Sequence, residues 1–526
     1  MKNIFLITLF TVSATFSQAS IPIAKFQSSP KLVVVLVIDQ FRADYLTRFH
    51  KKFVKPGSQG QVGGFQFLMS EGAYYPFAEY DVLQSMTCPG HAMIMTGSHP
   101  VMMGIPLNDW YDRKTQKMHY CAEDEQFGIS PRSLKSTTVG DELKNAGYKS
   151  KVIGIALKDR SAVMLAGHRA DLALWMDYKD FVWRTSDYYT KTLPAWVLIL
   201  NKKLQEDAKT EKIWNVNGQG TGLSENNDTG FEKKFKINSK QGMALTYGVQ
   251  TSFEAATAAL KSEKLGLGSA ADILAISLST HDMLGHAFGA NSRELEELTL
   301  FEDQQLSKFL TTLRKHMGSL KDVVIVLTAD HGVAPTVDYA QRAKIESGKL
   351  DYLDLYKKVY TRLNEKFGQP KKGEWISASK SFHFYLNQNA IADKKLKQAD
   401  VEQEFKLALK DLPGVFAVAT STEIQNGKLP PGELGQQLQR QYIPEISGDI
   451  ILIPRPFFME KDENLVTHMT GFSYDRVVPL VIYGNKIKAG VYAEKAQVID
   501  LAPTLSFILG VLPPATSSGR VLKEIF

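Results

Sequence analysis

The sequence predicts a layered α/β fold built on a central, mostly parallel sheet, and three observations predict it. Residues 31–38, KLVVVLVI, form an unbroken apolar, β-branched run, the pattern of a strand buried on both faces. Comparable short runs recur at 151–157, 272–278, 323–327 and 478–483. Between them lie segments with helical periodicity, such as 292–316 and 498–509, and strands alternating with helices imply parallel pairing. Ligands in such folds gather beyond the carboxyl ends of the strands, so the residues just after each run are the first to inspect for chemistry.

At the N-terminus, Lys2 precedes an apolar run at 4–10 and the small-residue stretch Ser17-Gln18-Ala19. That arrangement predicts a secretory signal peptide over 1–19 and an exported, periplasmic or secreted chain beginning near Ser20; the competing reading is an ordinary buried strand or helix. The run is too short to span a bilayer, and no later stretch reaches the roughly 20 apolar residues a membrane helix needs. No membrane span is expected after signal removal. A length of 526 residues exceeds what one core usually supports, so several domains or one domain with insertions is expected. The net charge of +6 is small for this length and no dense basic block is interleaved with aromatics, which argues against nucleic acid as a partner. Two cysteines, Cys88 and Cys121, exclude a disulfide-rich scaffold and a cysteine-based zinc cluster. Whether they pair is not set by their spacing. Any metal must use histidine and carboxylate.

Such residues sit where the fold would place a site. Asp39 follows the first run, Asp282 follows the third with His286 four residues on, Asp330-His331 follows the fourth, and His468 precedes the last. Alone, an aspartate after a strand reads as a helix cap and a histidine as a hydrogen-bonded core residue. Together, three carboxylates and three imidazoles suit two zinc ions about 4 Å apart. The segment 85–91, SMTCPGH, precedes a helix-like apolar run at 92–95. Thr87 then lies at or just before a helix N-terminus, with Pro89 in its first turn, where free N–H groups and the dipole favour a phosphoryl group. Read locally, Thr87 is only an N-cap. Two stretches interrupt the rhythm, about 178–240 and about 335–450, and are read as insertions that cap the site.

In chain order, TCPGHA at 87–92, LNDWYD at 107–112, IALKDR at 155–160, DMLGHAFG at 282–289, ADHG at 329–332 and DLAPTLSFILG at 500–510 resemble the alkaline phosphatase superfamily. They are most similar to bacterial phosphate-irrepressible alkaline phosphatases with a threonine nucleophile. The resemblance runs over 34–510, broken by the two insertions, and implies an α/β/α sandwich with cap insertions over 20–526. It also implies two zinc ions, one held by Asp282, His286 and His468 and the other by Asp39, Asp330 and His331 with Thr87. The other eight of the eleven histidines would be non-ligands. His468 departs from the usual Gly-Thr-His-Gly context, since here it reads Val466-Thr467-His468-Met469.

By the same resemblance, Thr87 attacks phosphorus to give a phosphothreonine, and Asn108, Lys158 and Arg160 bind the phosphoryl oxygens. Taken by themselves, the last three are a common turn residue and two solvated cations. Lys158 and Arg160 lie two residues apart and would point the same way in an extended segment. The implied reaction is hydrolysis of small-molecule phosphate monoesters, with broad phosphate scavenging as the default role. Its rival is a nucleotide pyrophosphatase or phosphodiesterase of the same superfamily, which the Lys158 and Arg160 pair disfavours because a diester carries less charge. A sulfatase does not fit: Cys88 is followed directly by Pro89, and Ala92 stands where an arginine would be needed. A non-catalytic binding protein should have lost a ligand or the nucleophile, and none is missing. Substrate identity and oligomeric state have no readable code.

Overall fold

The structure, a computed structural model, describes residues 30–526 except 221–223 and 226–227. The signal peptide expected over 1–19 lies outside the described residues. Its central elements in chain order are β1 (Leu32–Ile38), β2 (Ala73–Glu79), α1 (Thr87–Thr96), β3 (Val152–Ala156), α2 (Asp159–Ala166), β4 (Leu172–Asp177) and β5 (Val182–Arg184). There follow β6 (Asp272–Leu278), α3 (Thr280–Phe288), α4 (Arg293–Met317), β7 (Val323–Thr328), β8 (Val477–Tyr483), β9 (Gly490–Val491) and α5 (Leu501–Leu509).

Among the described residues, nine strands form one sheet in the order β9-β2-β8-β7-β1-β6-β3-β4-β5. The middle five, β7-β1-β6-β3-β4, are parallel, while β8 runs antiparallel to β7 and β5 antiparallel to β4. Every residue of β1, β6 and β7 is buried, which is why those strands read as continuous apolar runs rather than alternating ones. Helices pack around this sheet, α1 against α2 and α5, and α4 against the helix Thr246–Ser262.

The sequence reading passed over four sheet strands, β2, β4, β5 and β9, of which the last two are only three and two residues long. β2, AYYPFAE, carries a proline and an exposed Phe77, and its register against β8 shifts between Tyr75 and Ala78. Proline removes a ladder donor and is tolerated at such a bulge, so the strand hides from a pattern search. β4 is a short run, LALWMD, directly after the helix α2 and its loop.

The first interrupting stretch, 178–240, contains β5, the helix Ala195–Asp207 and a hairpin of Lys212–Val216 with Phe231–Phe235. Within and just beyond the second, 335–450, a four-stranded sheet assembles from Ile376–Lys380, His383–Leu386, Val415–Thr420 and Ile450–Pro454. That sheet has a core of its own, with Trp375, Phe382, Phe384 and Phe405 buried beneath the helices Tyr352–Phe367 and Gln398–Leu409.

Candidate active site

Because β7, β1 and β6 are neighbours, their carboxyl ends bring Asp330, Asp39 and Asp282 together from positions far apart in the chain. Two groups result: Asp39, Asp330 and His331, all fully buried, and Asp282, His286 and His468. Within each, one ligand-type atom per residue lies within 4.8 Å of the others. The groups adjoin, since the His331 and His468 rings stack with centroids 3.6 Å apart.

Each imidazole is held by its Nδ1: His286 to the Val466 carbonyl (2.7 Å), His331 to that of Gly332 (2.9 Å) and His468 to that of Ser85 (2.8 Å). That leaves every Nε2 facing the carboxylates, the orientation found when a histidine ligand is fixed by an outer hydrogen bond. Asp39 Oδ1, Asp330 Oδ2 and His331 Nε2 are buried and have no hydrogen-bond partner, although the ring nitrogen is 3.4 Å from both oxygens. A buried lone pair left unpaired costs about 1–3 kcal/mol, so three at one point call for a cation, and this donor set suits zinc.

The protonation preferences show the same strain. Burial opposes charge on His331, yet Asp330 and Asp39 raise its pKa to about 9. His468 is pushed well below the ordinary value by burial and by the neighbouring His331 and His286. Against burial, His286 and Lys158 hold Asp282 well below the usual carboxylate range. The Lys158 ammonium bridges the two groups, 2.7 Å from Asp39 Oδ2 and 2.5 Å from Asp282 Oδ2.

Thr87 is the first residue of α1 and Pro89 the third, as expected, and all ten residues of that helix are buried. Gly90 allows the helix to lie on the Asp330 loop, for a Cβ there would stand 2.4 Å from the Asp330 carbonyl oxygen. Asn108 Oδ1 accepts from the Cys88 N–H (2.8 Å), while the Asn108 carbonyl accepts from the Cys121 N–H (2.9 Å). Cys88 and Cys121 form a disulfide, which fastens the start of α1 to the end of the hairpin strand Lys117–Tyr120. Replacing both cysteines by serine should lower stability by about 3–4 kcal/mol, judged from the loop closed across 33 residues. Urea unfolding reads this directly, and an unchanged midpoint would show that the bond leaves the unfolded chain unconstrained.

One expectation needs correction. Lys158 and Arg160 do not share an extended segment: Lys158 is the N-cap of α2 and Arg160 its second residue. They reach different places, Lys158 the carboxylates and Arg160 the Thr87 hydroxyl, with its Nη2 3.5 Å from Thr87 Oγ1. Arg160 Nε is buried and unpartnered, and its Nη1 lies 3.4 Å from the Tyr120 hydroxyl, which donates to Asp159 at 2.5 Å.

Several residues here escaped the sequence reading. His91 Nδ1 lies 2.8 Å from the Thr87 carbonyl oxygen and 3.2 Å from Asp330 Oδ2, and its place one helical turn after Thr87 was the available signal. Gln40, at a left-handed φ of 68°, donates from its backbone to Asp330 and from its side chain to Asp282. Asp475, whose pKa burial lifts to about 7, accepts from the Thr470 N–H and hydroxyl and so ties down the loop carrying His468. In that loop Met469 adopts φ 93°, a conformation natural to glycine, which accounts for the glycine usual after this histidine. A cleft of about 1190 Å3 opens over Lys158, Arg160, Asp282 and His286.

The model of the type I phosphodiesterase / nucleotide pyrophosphatase family matches residues 33–471. The alkaline phosphatase PafA of Elizabethkingia meningoseptica is 32% identical over 530 residues, covering 94% of both chains. A protein of Myroides odoratus named a calcium-transporting ATPase is 31% identical over 551 residues, covering 98% of each. The crystal structure of wild-type PafA superposes with a TM-score of 0.84 at 31% identity, over 95% of this chain and 99% of that one. Sequence and fold therefore agree, and the chain belongs to the type I phosphodiesterase / nucleotide pyrophosphatase family, within the alkaline phosphatase superfamily.

Proposed function

We propose that this protein hydrolyses phosphate monoesters to an alcohol and inorganic phosphate, with two zinc ions and a phosphothreonine at Thr87, as an exported phosphate scavenger. The observation that carries the reading is the buried Thr87 hydroxyl, at the start of a helix and beside an arginine with unused donors, next to two carboxylate–imidazole groups. Zinc held by Asp39, Asp330 and His331 and by Asp282, His286 and His468 would supply Lewis acidity, easing loss of the Thr87 proton and stabilising the departing oxygen.

The chain's own groups account for the rest. Thr87 Oγ1 bonds to phosphorus as the ester P–O bond breaks, and the alcohol leaves with a proton; a water oxygen then replaces Thr87 and frees phosphate. The Cys88 N–H is taken by Asn108, Pro89 has none and the Gly90 N–H donates to the Met86 carbonyl, so what the start of α1 offers the charge on the phosphoryl oxygens is chiefly the helix dipole. Asn108 uses its Oδ1 on Cys88, which leaves Nδ2 as a donor to one such oxygen. Arg160 offers a forked pair of donors beside the nucleophile. Lys158, in contact with a carboxylate of each group, keeps positive charge between them and within reach of the same phosphoryl group.

The names of relatives add support. Proteins of Synechococcus elongatus and Zymomonas mobilis, 30% and 27% identical, are also named alkaline phosphatases. A second PafA structure carries substitutions at a threonine, an asparagine, a lysine and an arginine, with the Thr-to-Asn and Lys-to-Arg spacings of Thr87–Asn108 and Lys158–Arg160. Export is supported by the residue pattern at 1–19 and by a buried disulfide, which suits an oxidising compartment.

A phosphodiesterase is the second reading, and the family's own description favours it. Removing Lys158 or Arg160 distinguishes the two. Each alanine variant should cost the monoester reaction about 2–4 kcal/mol, judged from deletions of comparable transition-state donors, and the diester reaction much less. Equal losses on both substrates, or loss of metal from Arg160→Ala, would assign these residues to the framework instead. The defining comparison is purified protein on p-nitrophenyl phosphate, bis-p-nitrophenyl phosphate and p-nitrophenyl sulfate. Monoester turnover should dominate, and faster diester turnover would overturn the proposal.

A further inference from the structure

The cleft over Lys158 and Arg160 is larger than a phosphoryl group needs, and its lining carries more cations than carboxylates. At about 1190 Å3 it exceeds the roughly 300–1,000 Å3 of ordinary small-molecule sites. Its floor belongs to the reacting group, with Lys158, Arg160, Asp282 and His286. Leu157, Met176, Tyr178, Leu245, Met283 and Phe288 give it an apolar side, and the carboxylates of Asp159 and Glu463 line it as well. Four further lysines line it: Lys233, Lys234 and Lys240 from the segment after the hairpin strand Lys212–Val216, and Lys380 from the small four-stranded sheet.

These lysines are not equivalent. Lys233 is engaged, with Nζ 3.0 Å from Glu294 and 4.5 Å from the centre of the Phe288 ring. Lys234 lies 3.8 Å from Glu232, a loose contact between exposed groups. Lys240 and Lys380 are exposed and, among the described residues, have no carboxylate within ion-pair distance. Two separate excursions from the central fold thus each deliver an ammonium outside ion-pair distance of any described carboxylate to one cavity, although Lys380 is near enough to Glu460 and Asp109 to oppose the rise that burial gives their pKa. Surface lysines usually face water or a neighbouring acid, and like charges brought to one concavity raise the local concentration of an anion. Lys158 and Arg160 already serve the scissile phosphate, so the outer lysines are left for something farther along the substrate.

We propose that Lys240 and Lys380, assisted by Lys234, form a second anion subsite in this cleft, and that the preferred substrates are monoesters whose leaving group carries another phosphate, such as sugar bisphosphates. The inference rests on the phosphomonoesterase reading and adds a substrate class to it. Flexible ammonium groups on four-carbon stems suit a second phosphate whose distance from the first varies between sugars.

Glucose 1,6-bisphosphate and glucose 6-phosphate differ by this one group and make the test. In wild-type protein kcat/KM should be higher for the bisphosphate, mainly through KM. The ratio of the two values should fall about five- to tenfold in Lys240→Ala with Lys380→Ala, as two exposed charge contacts allow. Lys240→Arg with Lys380→Arg should preserve the ratio. So should Lys358→Ala, an exposed lysine on the helix Tyr352–Phe367, away from the cleft. The preference should also fade as salt rises toward about 0.5 M, where the Debye length is only a few ångströms. A ratio unchanged in the double alanine variant, or lowered equally by Lys358→Ala, overturns the subsite. Failure of wild-type protein to hydrolyse either sugar phosphate or p-nitrophenyl phosphate would instead overturn the monoesterase reading beneath it.

Discussion

Replacing Thr87 by alanine should lower phosphate monoester turnover at least about a thousandfold, whereas Thr87→Ser should keep much of it. The difference is chemical, because alanine removes the attacking oxygen while serine keeps it at the same helix position. Folding should tolerate the change: the hydrogen-bond contact of the Thr87 hydroxyl is a long one from Arg160, and the Asn108 side chain still receives the Cys88 N–H. Wild-type protein quenched during turnover should carry phosphate on Thr87, visible by peptide mass spectrometry. An alanine variant that turns over at near wild-type rate, with no phosphopeptide in the parent, would point to direct attack by water instead.

Removal of metal should have an effect of similar size. The purified protein should hold about two zinc ions per chain and lose nearly all activity on chelation, with recovery when zinc is restored. His331→Ala and Asp282→Ala should each deplete metal, since both residues contribute a buried donor aimed at its group. His316→Ala and His50→Ala should leave the content unchanged: the His316 Nε2 lies against the Leu265 carbonyl and His50 faces solvent. Elemental analysis beside a monoester assay measures both quantities. Equal depletion in all four variants would mean that the losses report damaged folding, and full activity in metal-free protein would end the zinc reading.

The sequence by itself determined four of the five central parallel strands and supplied the six residues that the structure gathers into two carboxylate–imidazole groups. Strands buried on both faces must be apolar at every position, which makes 31–38, 272–278 and 323–327 legible without a partner in view. Polar residues directly after such strands stand out for the same reason, and Asp39, Asp282, Asp330 and His331 were found that way. Thr87 was legible as a helix start because Pro89 and the apolar run after it punctuate the chain.

Only the tertiary structure decided which of these residues meet. Strand order is set by long-range packing, and β7-β1-β6 adjacency joins positions 39, 282 and 330 in a way no local pattern encodes. The strand β2, paired with β8 on one side and briefly with β9 on the other, stayed hidden because Pro76 and a bulge break its alternation. Lys158 and Arg160 looked like a pair pointing one way in an extended segment, but α2 begins between them, so one reaches the carboxylates and the other Thr87. The disulfide, left open by spacing, depends on the hairpin returning Cys121 to the start of α1. Gln40 was unreadable as a site residue because it acts through contacts made across the fold, and the contact of His91 with Asp330 is of the same kind, whereas Asp475 acts on Thr470 within its own loop. Side-chain chemistry is written locally, but the distances that turn it into a site arise only when separate strands and loops pack into one low-dielectric interior.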